Sequence, residues 1–433
     1  MRTYDSFYEG LLDLLAGQMN KILNKLLRHE LIKGSFFVFI GSTVGNFSAY
    51  LFHIIVGRML KPEEYAVIAS LISFLYIAGF PTAMFNTVIV RKMASLSAKN
   101  DYQGIKSIFN FFLIRILFFC LAITIFFFIV KKPIADFLKI ENSMLIFITG
   151  LTYAFSLFST VNMATLQGLL KFFSYSWIQI VYSIFKVFVT FMAIFFGFGV
   201  FGVTTGLLII TILYCVLSLK PLAFVFKYKE RKQTFAIKTY LSAMWIGMPL
   251  VGMGLMVTTD LLLVKHFFSS FDAGLYAAMS TIGRVILFAT SSIAVVLLPL
   301  STKKKESGQS SRKVFELSQL LSISVSLLIV LIYFYYPDFI VTIFYGKNYH
   351  SISSYLGLIG IYFLFYNISN LFVNYYISLR KQKILVFPIV CAVTQVVLIS
   401  LFHSSFSQIL YVMISSILLL LIIFVLYYFK YER

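Results

Sequence analysis

The chain has 433 residues, 60% of them apolar and 12% charged, and its mean hydropathy is +0.92. A soluble domain usually carries about 25% charged residues, so the 49 Phe and 27 Tyr lack enough polar cover to face water, and an ordinary water-soluble enzyme is excluded. A net charge of +20 would point to nucleic acid in a soluble chain, but here the basic residues sit in short breaks between apolar runs and no nucleic-acid partner is expected.

In chain order, the first 34 residues lack the basic start and short apolar core of a cleaved signal. Leu11, Leu15, Met19, Ile22 and Leu26 recur at helical spacing opposite Asp13, Asn20, Lys21, Asn24 and Arg28. This predicts a cytoplasmic amphipathic segment over 1–34, lying on the membrane surface or packed under a helix bundle. Six apolar runs follow at roughly 35–57, 64–88, 107–130, 142–168, 173–197 and 200–219, a first lobe over 35–219. A basic cytoplasmic connector, 220–238, leads to six more at roughly 239–264, 274–298, 314–334, 352–378, 384–402 and 406–429. These form a second lobe over 239–429, followed by a short cytoplasmic tail at 430–433; each run is long enough to cross a bilayer as a helix.

Lys and Arg divide unevenly between alternate breaks: twenty-six fall in the set that holds both termini and the connector, seven in the other. Short basic loops stay in the cytoplasm, which predicts an even number of spans with both termini cytoplasmic. An internal repeat agrees with six spans per copy. The stretch 56–70 resembles 264–280, 131–138 resembles 335–344, and 162–171 resembles 374–383, with offsets near 204–212 residues. Copies with an even number of spans enter the membrane from the same side and are related by an axis along its normal. The expected fold is an all-α integral membrane protein of about twelve transmembrane helices in two six-helix lobes around a central cavity.

Four ionisable residues fall inside predicted spans, where charge is costly enough that function is the default reading. They are Arg115, Lys186, Asp260 and Arg284. Lys186 and Arg284 fall near mid-membrane, Arg115 in the inner half and Asp260 near the outer end. Three cations against one acid predict an anion-holding cavity, and phosphate suits both Arg forks and Lys point charges. Snorkelling towards the interface is the alternative for Arg115. For Asp260 the alternatives are an ion pair with Arg284, acting as a gate or as structure, a place at the outer interface, or ion coupling. Asn367, Asn370 and Asn374, and Ser156, Thr160 and Gln167, form polar stripes that more often hold helices together than bind ligand. Pro249, with Gly247, Gly252 and Gly254, is expected to bend the seventh span.

Other chemistry is not signalled. Cys120, Cys215 and Cys391 each stand alone, no metal-ligand spacing occurs, and no phosphate-binding glycine loop is present, so neither metal nor cofactor is expected. The acids of the predicted outer loops, among them Glu63, Asp136, Asp272 and Asp338, follow no repeated spacing.

The segments VGRMLKPEEYAVIASLISF (56–74), LQGLLKF (166–172) and PLVGMGLMVTTDLLLVKHFFSSFDAGLYAA (249–278) resemble the O-antigen and capsule-type (Wzx-like) polysaccharide flippases of the MOP superfamily, which are related to the lipid II flippase MurJ. The resemblance implies a non-enzymatic transporter of the cytoplasmic membrane. Such a protein moves undecaprenyl-pyrophosphate-linked oligosaccharide from the inner to the outer leaflet by alternating access, for cell-surface polysaccharide biosynthesis. Arg284 matches the kind of position where that family places a cavity arginine; the first two spans offer only Arg58 and Arg91 at their ends, which departs from the MurJ pattern. The implied partners are the glycolipid, membrane lipids and polysaccharide-assembly proteins. The rival readings are a MATE-like ion-coupled exporter, which would favour buried carboxylates, and a membrane glycan polymerase or ligase, which would need outer-face acids.

Overall fold

The computed structural model describes residues 30–230, 238–291, 293, 297, 301, 310–379 and 381–431. Residues 1–29 of the expected amphipathic segment, 231–237 of the connector and 432–433 of the tail lie outside the described residues. The first half holds α1 (Glu30–Met59), α2 (Pro62–Ala98), α3 (Tyr102–Phe137), α4 (Met144–Gly168), α5 (Phe172–Phe195) and α6 (Gly199–Leu219). The second holds α7 (Lys238–Met256), α8 (Thr259–Phe267), α9 (Ser270–Gly283), α10 (Arg312–Tyr335), α11 (Pro337–Phe344), α12 (Leu356–Ser378), α13 (Phe387–Leu401) and α14 (Phe406–Tyr431). No strand occurs among the described residues.

Eleven helical segments among the described residues are long and apolar enough to cross a membrane. The molecule is a multi-pass integral membrane protein. The eleven match eleven of the twelve predicted runs; the run at 64–88 lies within α2, which is 37 residues long and stands outside that set. Outward faces carry large apolar side chains such as Phe118, Ile129, Phe195 and Tyr335, as lipid contact requires.

Local chemistry sets the helix ends. Asp101 caps α3 by accepting from the Gly104 amide at 2.8 Å, and Ser269 caps α9 by accepting from Asp272 at 3.1 Å. Pro62 opens α2, and Glu64 accepts from the Lys61 amide at 3.1 Å. Between α5 and α6, Gly197 sits at φ +80°, which only glycine adopts without strain.

Helix pairing repeats between the halves. In the first, α1 packs with α5, α2 with α4, α3 with α4, α4 with α6 and α5 with α6. In the second, the equivalent positions pair: α7 with α13, α9 with α12, α10 with α12, α12 with α14 and α13 with α14. Each half has its own apolar core. One core draws only on residues between Leu71 and Val225; the other is built mainly from the second half but also takes Phe52, Val56, Tyr65 and Ala66 from the facing ends of α1 and α2.

The halves therefore meet at the end that carries the α1–α2 turn. There α2 packs on α8 and α9, and a Cβ on Gly274 would strike the Pro62 carbonyl; towards its other end α2 packs on α7. Arg58, at the end of α1, donates from Nε to the Phe344 carbonyl and from Nη2 to that of Thr342, both at 3.1 Å, and to Ile343. These carbonyls form the last turn of α11, where a cation is favoured. Lys139 donates to the Phe268 carbonyl at 3.0 Å, and His266 stacks on Phe137 with ring centroids 4.1 Å apart.

Two expectations change. The seventh span does not yield at Pro249, which sits inside α7; it breaks at Val257–Thr258, between α7 and α8. The eighth span continues past Arg284, which keeps helical dihedrals and accepts from the Phe288 amide at 3.2 Å. The first part of the connector packs on the first half as a 3-10 turn, Lys220–Lys227. Lys171 donates to the Pro221 carbonyl at 3.0 Å and lies 3.8 Å from the Phe224 ring, its pKa lowered by burial, while Tyr102 stacks on Tyr228. Seven residues, 231–237, then separate this strap from α7.

Candidate functional site

A broken helix leaves carbonyls without intrahelical partners, and in a membrane interior these must be satisfied by neighbours. At the α7–α8 break the partners are side chains. Met253 O accepts from the Tyr366 hydroxyl at 3.2 Å, and Met256 O from the Tyr362 hydroxyl at 2.6 Å and Gln395 Nε2 at 2.9 Å. Val257 O accepts from Arg284 Nη2 at 2.7 Å. Arg284 is thus held by backbone, with its buried Nε left unpartnered.

Asp260 occupies the first turn of α8, where a carboxylate suits the helix dipole, and is fully buried. Its Oδ2 accepts from the Tyr276 hydroxyl at 2.8 Å, and its Oδ1 has no partner. The Arg284 charge acts on Asp260, but no direct ion pair forms between them, because the guanidinium is turned to the Val257 carbonyl. The expected Asp260–Arg284 ion pair is therefore replaced by a shared site in which each group has its own partner.

His53 links this cluster to the first half. Its Nδ1 lies 3.3 Å from the Tyr65 hydroxyl, which in turn meets Thr281 Oγ1 and the Tyr345 hydroxyl, each at 3.1 Å. The charges of Arg284 and Lys186 both act on His53. Lys186 is half-buried, with Nζ 5.1 Å from the centroid of Phe52, and it lines a cavity of about 320 Å³ between α1, α2, α4, α5 and α6.

Two of the three expected cations thus lie at the ends of one polar chain. Arg115 stands apart: it is exposed on α3, lies 3.3 Å over the Phe111 ring and donates to the Phe111 carbonyl, among the outward-facing Ile114, Leu117 and Phe118. It shares no contact with Arg284 or Lys186 and belongs to the lipid-facing surface, the snorkelling alternative. Asn367 acts as helix glue, donating to Ser326 at 2.9 Å and to Ser322, and accepting from Thr290 at 3.0 Å. Ser156 lines the Lys186 cavity. The sequence reading did not single out Tyr65, Tyr276, Tyr362, Tyr366 or Gln395. The spacing of Tyr362 and Tyr366 puts them on one face of α12, but only packing shows that α7 carbonyls lie opposite. Among the described residues no group of His, Cys, Asp and Glu is placed to hold a metal ion.

A family model described as polysaccharide biosynthesis protein matches residues 55–354. No curated protein sequence matches the chain. Among solved structures, the inward-facing conformation of a multidrug resistance MATE family transporter of the MOP superfamily superposes with a TM-score of 0.71 at 12% identity, over 88% of this chain and 92% of that one. An outward-facing conformation of such a transporter gives 0.58 at 16% identity, over 93% and 96%. The lipid II flippase MurJ, in an inward closed conformation, gives 0.65 at 18% identity, over 93% and 88%. These likenesses show that the chain shares the fold of those proteins.

Proposed function

The chain belongs to the polysaccharide biosynthesis protein family, and from that premise we propose that it is a flippase that carries undecaprenyl-pyrophosphate-linked oligosaccharide from the inner to the outer leaflet of the cytoplasmic membrane. The observation that carries the reading is the polar chain that joins the two halves: His53, which shares a cavity with Lys186 in the first half, meets Tyr65, and Tyr65 meets Thr281, one turn before Arg284 in the second. A sugar pyrophosphate cannot cross hydrocarbon unaided, because its polar groups lose water and find no partners there. Two cations on opposite halves hold the pyrophosphate between them, and the prenyl tail stays in lipid. The unpartnered Nε of Arg284 is a free donor for a phosphate oxygen.

With α2 read as the twelfth span, the basic breaks and both termini face the cytoplasm and the α1–α2 end faces outward. With the cell interior negative, outward movement of an anion is favoured by about 2.3 kcal/mol per charge per 100 mV. The carried glycolipid, surrounding lipids and polysaccharide-assembly proteins are the partners of this reading, and no chemical step is assigned to the chain. A second reading, an ion-coupled exporter, draws on the buried Asp260 with its free Oδ1.

The test is leaflet translocation of a labelled undecaprenyl-pyrophosphate oligosaccharide in proteoliposomes. Flux should exceed that of empty vesicles and fall about tenfold or more in Arg284→Ala, the loss of a charge-assisted hydrogen bond to phosphate. Absence of flux with several such glycolipids, alongside gradient-driven export of a small cation, would overturn the flippase reading in favour of the exporter.

A further inference from the structure

The cavity beside Lys186 has a chemistry of its own. Five of its seven hydroxyls donate to backbone carbonyls: Thr82 to Gly79, Thr152 to Ile148, Ser156 to Tyr153 and Thr211 to Leu207, each on its own helix, while Tyr153 donates across to Ala78. These five keep oxygen lone pairs as acceptors, and the Tyr76 and Tyr182 hydroxyls complete the polar lining. Such a mixed lining recognises a ligand rich in hydroxyls, and Lys186 supplies a charged donor. Phe52 and Tyr76 add aromatic surface, suited to the C–H edge of a sugar ring. Two larger cavities of this half, about 480 Å³ between α3, α4 and α6 and about 410 Å³ between α1 and α5, are lined almost wholly by apolar side chains and offer no such pattern.

We propose that the Lys186 cavity is the subsite for the first sugar ring of the glycolipid, the one bonded to the pyrophosphate; this rests on the flippase reading above. Size agrees, since about 320 Å³ is the space of roughly ten water molecules and a hexose ring carries about twelve non-hydrogen atoms. Position agrees as well. His53 lines the cavity and meets the Tyr65 hydroxyl, which reaches Thr281, one turn before Arg284, so a pyrophosphate held between Lys186 and Arg284 has its first sugar directed into the cavity. The subsite therefore selects by hydroxyl pattern, and Tyr182, Ser156 and Thr211 are its specificity-determining residues.

Gly79 makes the subsite testable without disturbing the fold, because a Cβ there meets nothing within 4 Å and a larger side chain grows into the cavity. The full chain in nanodiscs is titrated with undecaprenyl pyrophosphate and with undecaprenyl-pyrophosphoryl hexose, N-acetylhexosamine and deoxyhexose. Wild type is expected to bind at least one glycosylated lipid about tenfold more tightly than the bare pyrophosphate lipid, a difference of about 1.4 kcal/mol. Gly79→Leu removes that preference and leaves affinity for the bare lipid within about twofold. Thr211→Val and Ser156→Ala change the ranking among the sugars. Equal binding of bare and glycosylated lipids by wild type, or an undiminished preference in Gly79→Leu, overturns the subsite while leaving the flippase reading intact. Failure of the bare lipid to bind at all overturns both.

Discussion

Each charged group near the lobe interface is held by a different partner, and the partner decides what the charge can do. Arg284 is fixed by the Val257 carbonyl and keeps a free Nε; Asp260 is fixed by the Tyr276 hydroxyl and keeps a free Oδ1. A direct ion pair would have neutralised both. Kept apart, they offer separate contacts to an anion and to a cation, and the Asp260 carboxylate is the acid available for coupling among the buried groups of this cluster. Asp260→Asn preserves shape and the Tyr276 contact while removing the charge. It should leave glycolipid binding unchanged and abolish any acceleration of flux by an imposed proton or sodium gradient, measured in the same vesicles. A mutant that still responds to the gradient would place coupling elsewhere. The four ionisable positions themselves were legible in the sequence, since charge in an apolar run stands out. Their neighbours were not. Tyr65, Tyr276 and Gln395 are polar residues in helices full of aromatic and amide side chains, and nothing local marks the few that face a broken backbone.

At the level of elements, the sequence located apolar runs well and their interruptions poorly. Pro249 reads as the weak point of the seventh span because it lacks an amide hydrogen, yet the helix continues through it and breaks eight residues later. The break falls where Tyr362, Tyr366, Gln395 and Arg284 can satisfy the released carbonyls, all four supplied by other helices. A break in lipid forms where it can be satisfied, and that is a property of neighbours. Close approach of elements is equally non-local. At Gly274 a Cβ would meet the Pro62 backbone, whereas Gly79 faces open space. Gly274→Val should lower the thermal stability of the detergent-solubilised protein by about 1–3 kcal/mol, and Gly79→Val should leave it nearly unchanged. Equal effects would mean that α9 and α2 do not meet as closely as described.

For the whole molecule, two halves with the same helix pairings are the architecture that rigid-body rocking uses, and the first-half side chains Phe52, Val56, Tyr65 and Ala66 packed into the second core mark the seam that such rocking must part. The contacts that join them at the α1–α2 end, Arg58 on the α11 carbonyls and Tyr65 on Tyr345 and Thr281, are hydrogen bonds that can part and re-form. If transport needs that end to open, a covalent bond across it must stop the cycle. With Cys120, Cys215 and Cys391 replaced by Ser, the pair Arg58→Cys and Thr342→Cys should form a disulfide that blocks flux, and reduction should restore it. Full flux in the cross-linked protein would exclude opening at this end.

The sequence by itself determined that this chain lives in lipid, where its spans lie to within a few residues, that it is built twice from one plan, and which ionisable residues fall inside the spans. Those properties follow from solvent and periodicity, which act along the chain: apolar runs need a bilayer, basic breaks favour one side, and a duplicated pattern is visible wherever it recurs. Tertiary structure decided that Arg115 belongs to the lipid face, that His53 and Tyr65 link the Lys186 cavity to the second half, that the seventh span breaks where other helices satisfy its carbonyls, and that Arg58 ties the α1–α2 end to the second half. Each of these depends on which helix faces which, and a single helix's pattern tells which of its sides is buried without naming the partner that buries it.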